Sequence, residues 1–317
     1  MRHILVTGGA GFIGSNLIGE LLNRDFKVTA IDNFDDFYSR GQKELNIKPF
    51  ETNPDFKFIE GDIRETADLE QIPDIHIIIH LAAKAGVRPS IKNPILYQDV
   101  NVSGTQTLLE FAKSREIKQF IFASSSSVYG INENVPWNEE EKLLPISPYA
   151  STKLSGEMLG HVYSKLYGIR FLALRFFTVY GPGQRPDLAI HKFFKSILNN
   201  QPIPVFGDGS TSRDYTFVGD TVKGLIAAID YDKSDFEIIN LGNHNTVTLS
   251  ELIEAVEDVC GKKAQINRLE EQPGDVPRTY ADISKAENLL NYHPSTNLKD
   301  GLKEFYRWYN TNQAILQ

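Results

Sequence analysis

Short apolar runs alternate with amphipathic stretches through the first half of the chain. His3–Thr7, Lys27–Ile31, Lys57–Ile63, His76–Leu81 and Gln119–Ser124 predict strands. Gly11–Leu22 and Asp99–Ser114 carry apolar positions at helical spacing, with Leu108, Leu109 and Phe111 available to a sheet. The run His76-Ile-Ile-Ile-His-Leu81 is apolar without alternation, as in a strand covered on both faces. Strands separated by helices predict an α/β fold with a Rossmann-type, doubly wound parallel sheet.

Pro148–Leu166 predicts a long helix and Phe171–Phe177 another strand. The texture changes after Gly181. Gly181-Pro-Gly-Gln-Arg-Pro186 is a loop, and 201–214 is rich in Pro, Gly and Asp. Helices are expected near 186–199, 220–230, 249–260 and 284–291. Residues 1–176 are therefore expected to form the first domain, with returns from about 216–242. Residues 177–317 are expected to be mostly a smaller α/β substrate-binding domain.

A 41% hydrophobic and 23% charged composition is that of an ordinary globular chain. The net charge of −8, without a Lys/Arg run, argues against a nucleic-acid surface. An anionic ligand must instead be met by locally placed Arg, Lys or helix N-termini. Cys260 is the only cysteine, which excludes an intrachain disulfide, and no Cys/His metal spacing occurs. No signal-peptide core or membrane-length apolar stretch is present, so a cytoplasmic protein without a metal or membrane partner is expected.

The segment Ile4-Leu-Val-Thr-Gly-Gly-Ala-Gly-Phe-Ile-Gly14 is strand, glycine turn and helix. Gly9, Gly11 and Gly14 fit G-x-G-x-x-G, while Gly8, Gly11 and Gly14 fit the related G-x-x-G-x-x-G. Such a turn brings bare backbone, including Phe12 and Ile13, against a pyrophosphate at a helix N-terminus. Asp32 ends the next predicted strand, where a carboxylate accepts from the adenosine ribose and repels a 2′-phosphate. Asn33 and the two acids after Phe34 offer no Arg, which favours NAD over NADP. Asp62, in Gly61-Asp-Ile63, is read either as an adenine contact or as a surface turn.

Tyr149 and Lys153 share one face of a predicted helix. The ammonium is expected to favour the phenolate and lower the phenol pKa. They follow Ser124-Ser-Ser-Ser127 at a strand end, where ligands of open α/β sheets bind.

These segments resemble the extended short-chain dehydrogenases/reductases, and within them the nucleotide-sugar 4-epimerases. The likeness covers nearly the whole chain. It includes Thr7–Gly14, His80-Leu-Ala-Ala83, Ser124–Gly130, Pro148-Tyr-x-x-x-Lys153 and Arg213-Asp-Tyr215. The resemblance implies Tyr149 as base, Ser125 as proton relay and Lys153 as the residue orienting NAD. It also implies cofactor contacts from Leu81, Ala82, Ala83, Lys84, Asn101 and Ser124, besides Gly8–Gly14, Asp32, Asn33, Asp62 and Ile63. The implied chemistry is oxidation at C4, rotation of the 4-ketose and reduction of its other face.

Relatives that eliminate water resemble Asp-Glu at positions 126–127, and decarboxylases resemble Glu at 127. Here stand Ser126 and Ser127, poor acids and bases. Hydroxyls suit an epimerase that must restrain a β-keto acid without assisting loss of CO2. Leu174–Ala189 resembles the UDP-glucuronate 4-epimerases, with Thr178 and Arg185 as candidates for the uronate or diphosphate. Arg185 also fits a structural ion pair. The resemblance further implies Arg213 at the UDP diphosphate, Pro204 and Phe206 at uracil and Asp275 at the ribose. Arg88 is read as a phosphate contact or a loop brace. Family members often carry Arg where Gln272 stands, and Arg278 is the candidate substitute. Thr279 replaces a bulky Tyr of glucose-specific epimerases, which keeps UDP-GlcNAc, its uronic acid and UDP-glucose open as alternatives. A decarboxylase working without the Glu is a further alternative. A non-catalytic NAD-binding sensor would be expected to lose the Tyr/Lys pair. His80, His191, Trp308 and Tyr309 are read as structural. The faces of Asp99–Ser114 and the Tyr149 helix resemble the family's dimer bundle, so a homodimer is expected.

Overall fold

The computed structural model describes residues 1–270 and 276–316. Its frame is a seven-stranded parallel sheet. The strands are β1 (His3–Thr7), β2 (Lys27–Asp32), β3 (Phe56–Glu60), β4 (Ile77–His80), β5 (Gln119–Ser125), β6 (Arg170–Phe176) and the returning Phe236–Leu241. Their spatial order is Phe236–Leu241, β6, β5, β4, β1, β2, β3. The order reverses between β1 and β4, and a crevice opens there beyond the strands' carboxyl ends.

Strand alternation builds two cores. Ile4, Val6, Ile79 and Leu172 face one helix layer, together with Leu17 and Ile18 of α1 (Phe12–Leu22). Leu5, Ile78, Phe120 and Phe171 face the other, with Leu108 and Leu109 of the helix Gly104–Ser114. A third cluster joins the helices Ala189–Leu198, Leu249–Cys260 and Leu298–Thr311 through Phe194, Leu252 and Phe305. Among the described residues, no helix is long and apolar enough to cross a membrane.

Three local expectations shift. β3 stops at Glu60, so Gly61–Ile63 is loop. The predicted helix Asp99–Ser114 opens with a π-helical turn, Asp99–Ser103, before its α-helical part. The 201–214 stretch contains the short strands Ile203–Phe206 and Ser212–Arg213, paired with Ile266–Leu269 and Val247–Thr248.

The helix Pro148–Tyr167 lies unusually near the sheet. A Cβ on Gly156 would stand 2.3 Å from the Phe122 ring, and one on Gly160 2.2 Å from the Phe171 ring, both well inside van der Waals contact. Both glycines lower helix propensity, yet only hydrogen fits there. Gly160→Ala should lower the unfolding free energy by about 1–3 kcal/mol despite its better propensity, as overpacking does. Urea denaturation measures it. A variant as stable as the parent would mean the helix can shift freely off β6.

Candidate active site

One cavity of about 520 Å³ runs along the carboxyl ends of the strands. Its first wall is the glycine turn. Gly8 holds φ +69°, and a Cβ there would stand 2.8 Å from the Ala82 nitrogen. A Cβ on Gly14 would collide with the Gly8 carbonyl. Turn and helix thus touch through bare backbone. Gly11 caps α1 without a side-chain hydrogen bond, and no acid occupies the first turn. The positive helix end therefore faces the cavity beside Phe12, Ile13 and Gly14, ready for a diphosphate.

Asp32 ends β2 and accepts from the Ala10 N–H at 3.1 Å and the Phe34 N–H at 2.9 Å. Burial raises its pKa, and nearby Lys43 opposes that. Asn33 donates to Asp62 at 2.8 Å. Arg64 donates to both Asp62 oxygens, at 3.0 and 2.7 Å. Burial alone would raise the Asp62 pKa, but these hydrogen bonds win and bring it down to about 2. Asp62 lines the cavity as a firmly held carboxylate, with Ile63 beside it.

The loop after β4 supplies Leu81, Ala82, Ala83 and Lys84. The Lys84 ammonium pairs with Asp35 at 2.7 Å, tying this loop to the one after β2. Asn101 lies behind the wall. It accepts from the Lys84 N–H at 2.8 Å and donates to the Lys84 carbonyl and the Thr152 hydroxyl. Its place is that of a brace between the loop and the Tyr149 helix.

At the β5 end stands the hydroxyl cluster. Ser147 caps the helix by accepting from the Ala150 N–H at 3.1 Å, and Pro148 fits its first turn. Tyr149 is thereby presented at the helix start. Ser125 accepts from the Ser127 N–H at 3.2 Å and the Ser127 hydroxyl at 2.9 Å, and its hydroxyl stands close enough to Tyr149 to lower the phenol pKa. Ser126 and Ser127 begin a short 3₁₀ turn, Ser126–Tyr129. The Lys153 ammonium sits 5.9 Å from the Tyr149 ring centre and donates to the Ala123 carbonyl at 2.8 Å.

The electrostatics correct one expectation. Burial raises the Tyr149 pKa, against the Ser125 hydrogen bond and the charge of Arg185, which both lower it. Burial also brings Lys153 down to about 8. Both groups resist charging, because each stands in low dielectric. Arg185, not Lys153, is the cation that pulls the phenol pKa down.

Ser124 departs too. It lines the cavity, but its hydroxyl donates to buried Glu157 at 2.5 Å. Arg185 makes the ion pair that is one of its two readings. It lines the cavity beside Thr178, and it grips Asp187 with two 2.9 Å hydrogen bonds. Arg213 lines the far end, near Thr279, whose hydroxyl accepts from the Asp214 N–H at 3.1 Å. Arg88, Pro204, Phe206 and Arg278 are not on the cavity wall. Arg88 lies over the Phe206 ring at 4.9 Å, and Arg278 near Tyr280 at 6.0 Å. Asp275 and Gln272 lie outside the described residues.

His80 is structural, as expected. It is fully enclosed between the Thr7 and Thr105 hydroxyls, and burial lowers its pKa to about 3. His191 contacts the Gln184 carbonyl and packs against Phe305, Trp308 and Tyr309. Sequence reading missed Tyr38, Lys43, Trp137, Ile146 and Leu188, which also line the cavity. They belong to no local motif, and only the tertiary fold gathers them. Lys43 carried one weak signal, a cation a helix turn or so beyond Asp32's loop.

Comparison with known proteins agrees with this geometry. The family model described as GDP-mannose 4,6 dehydratase matches residues 5–305. A UDP-glucuronate 4-epimerase of Thermodesulfobacterium geofontis is 41% identical, over 100% of this chain and 99% of its own. The crystal structure of a UDP-glucuronic acid 4-epimerase from Bacillus cereus, in complex with UDP-glucuronic acid and NAD, superposes with a TM-score of 0.93. It is 42% identical and covers 98% of this chain and 99% of its own. A UDP-N-acetylglucosamine 4-epimerase from Methanobrevibacter ruminantium, in complex with UDP-N-acetylmuramic acid, gives a TM-score of 0.91. It is 34% identical, over 98% of this chain and 99% of its own.

The Lys153 shift has a measurable consequence. Its ordinary value is 10.5, and the folded value is about 8. Between these the unfolded chain binds the extra proton, so this group makes stability rise with pH. Urea denaturation of the parent and Lys153→Met at pH 7.5 and 9.5 should show the parent gaining relative to the variant. Equal pH slopes would mean the ammonium does not sit in this buried place.

Proposed function

We propose a function from one premise: the chain belongs to the GDP-mannose 4,6 dehydratase family, among the extended short-chain dehydrogenases/reductases. On that premise it is an NAD-dependent UDP-sugar 4-epimerase that interconverts UDP-glucuronate and UDP-galacturonate. One observation carries the reading. The β5 end of the cavity presents Ser125, Ser126, Ser127 and Tyr149. The carboxylates lining the cavity among the described residues, Asp32, Asp35 and Asp62, belong to the end of β2 and the loops after β2 and β3. Elimination needs an acid and a base near C5, whereas alcohol oxidation needs only a base at one hydroxyl.

The cavity suits a dinucleotide. The glycine turn and bare N-terminus of α1 fit its diphosphate, Asp32 and Asn33 its ribose, and Asp62 and Ile63 its adenine side. Leu81–Lys84, braced by Asn101, with Ser124 and Lys153, face its other half. NAD, when bound, supplies reversible hydride transfer at C4. The chain's residues do the remaining work. Tyr149 holds the O4 proton as it leaves and returns. The Ser125 hydroxyl relays it, and Lys153 fixes the geometry. Tyr149 takes that proton as the phenolate; burial opposes its ionisation, and Ser125 and the charge of Arg185 favour it. Ser126, Ser127 and Thr178 restrain the uronate through neutral hydrogen bonds, with Arg185 supplying charge. Arg213 meets the UDP diphosphate. Residues 1–176 with 216–242 serve the cofactor, and most of 177–317 serves the nucleotide sugar.

Purified protein is expected to carry NAD and, without added coenzyme, to equilibrate UDP-glucuronate with UDP-galacturonate in an NMR time course. Recovery of UDP-pentose would instead indicate a decarboxylase, and turnover of UDP-GlcNAc alone would sink the uronate assignment. Tyr149→Phe should lose at least 10²-fold in kcat, the usual scale for a general base. An unchanged rate refutes its role.

We also read the protein as a homodimer. Met158, Val162 and Leu166, four residues apart on the Tyr149 helix, are 50%, 46% and 67% exposed. Such an apolar stripe on one helix face supports burial by a second copy. Sedimentation should give a dimer, and Val162→Glu with Leu166→Glu a monomer. A parent chain that sediments as a monomer overturns this.

A further inference from the structure

Behind the serine run lies an ion pair that the chemistry above does not use. Glu157 and Arg175 are 0% and 1% exposed, and two hydrogen bonds of 2.9 and 2.8 Å join them as a fork. Ser124 stands opposite Arg175 in the β5–β6 register. Its hydroxyl donates to Glu157 Oε1. On the other side, Arg175 Nη1 donates to the Tyr129 hydroxyl at 3.0 Å, and that hydroxyl donates to Asn240 at 2.8 Å. Ser124 and Tyr129 are the two ends of the segment that displays Ser125, Ser126 and Ser127. One buried pair therefore grips both ends.

The fold has little need of this pair. β5 and β6 are already joined by seven register partners, and burying two charges costs desolvation that apolar residues of similar volume avoid. Its specific product is the fixed placement of three hydroxyls. We infer that Glu157 and Arg175 are positioning residues that decide the fate of the 4-ketouronate, an inference that rests on the epimerase reading above. Loss of CO2 requires the C5–carboxyl bond to align with the C4 carbonyl π system. That bond then breaks, its electron pair passes to the carbonyl as an enolate, CO2 departs and C5 takes a proton from water. Hydroxyls held at both ends of their segment keep the carboxylate out of that alignment. A slack segment lets it rotate.

The test compares product partition in the parent, Tyr129→Phe and the double variant Glu157→Leu/Arg175→Met. Each is assayed with UDP-glucuronate, with bound NAD and the thermal midpoint measured in parallel. Decarboxylated product, UDP-pentose or its 4-keto form, should rise roughly fivefold to tenfold relative to UDP-galacturonate, the scale of one net hydrogen bond. The double variant should keep its NAD and melt near the parent. Tyr129→Phe, which removes one hydroxyl, should shift the partition in the same direction by less. A purely structural pair would lower activity without altering the product ratio. An active parent with variants of unchanged product ratio therefore overturns this inference alone. A parent inactive on UDP-glucuronate overturns the substrate reading, and this inference with it.

Discussion

The contact of the Tyr149 helix with β5 and β6 governs the site. Gly156 and Gly160 leave room for the Phe122 and Phe171 rings, so the helix packs directly on the sheet. At that distance the Lys153 side chain reaches the Ala123 carbonyl, and Glu157 reaches Ser124 and Arg175. A bulkier interface would carry Tyr149, Lys153 and Glu157 outward together, because all three project from one helix. Packing further along one face of a helix thus sets hydrogen-bond geometry at its start.

The charges follow from the same closeness. In a chain of net charge −8, long-range fields do not gather anions. Cations near the cavity are individually placed: Lys84 on Asp35, Arg185 on Asp187, Arg175 on Glu157. Each has a carboxylate partner that fixes its direction. Lys153 differs, since its ammonium meets the Ala123 carbonyl and the faces of Phe122 and Tyr149. Its pKa falls to about 8, which is what burial without a counter-charge does.

Much of this was legible in the sequence, for a physical reason. The glycine turn, Asp32 and the Tyr149–Lys153 pair are local patterns, in which backbone geometry alone brings the residues together. The strand pattern likewise encodes two buried faces. What stayed hidden depends on partners distant in sequence. Ser124 reads as one of four equal serines until Glu157, 33 residues on, takes its hydroxyl. Asp62 reads as open until Arg64 and Asn33 close on it. Arg185 reads as ligand contact or ion pair in the sequence; in the fold it pairs with Asp187 on the cavity wall. The phenol pKa was misjudged because charge was weighed and burial was not. The π-helical turn that aims Asn101 at Lys84 and Thr152 leaves no trace in hydrophobic periodicity.

A sheet whose seven strands all run the same way has two unlike edges. The carboxyl edge carries the cavity. At the opposite edge are the turns 23–26 and 115–118, where Asp25 and Glu116 hold positive φ of 59° and 53° and are exposed. Strands of four to seven residues separate the edges by roughly 13–23 Å at about 3.3 Å per residue. A fluorophore, affinity handle or surface tether attached at those turns would leave the cavity mouth facing outward. For immobilising the protein on a solid support, the chain direction of the sheet has already chosen the side to attach.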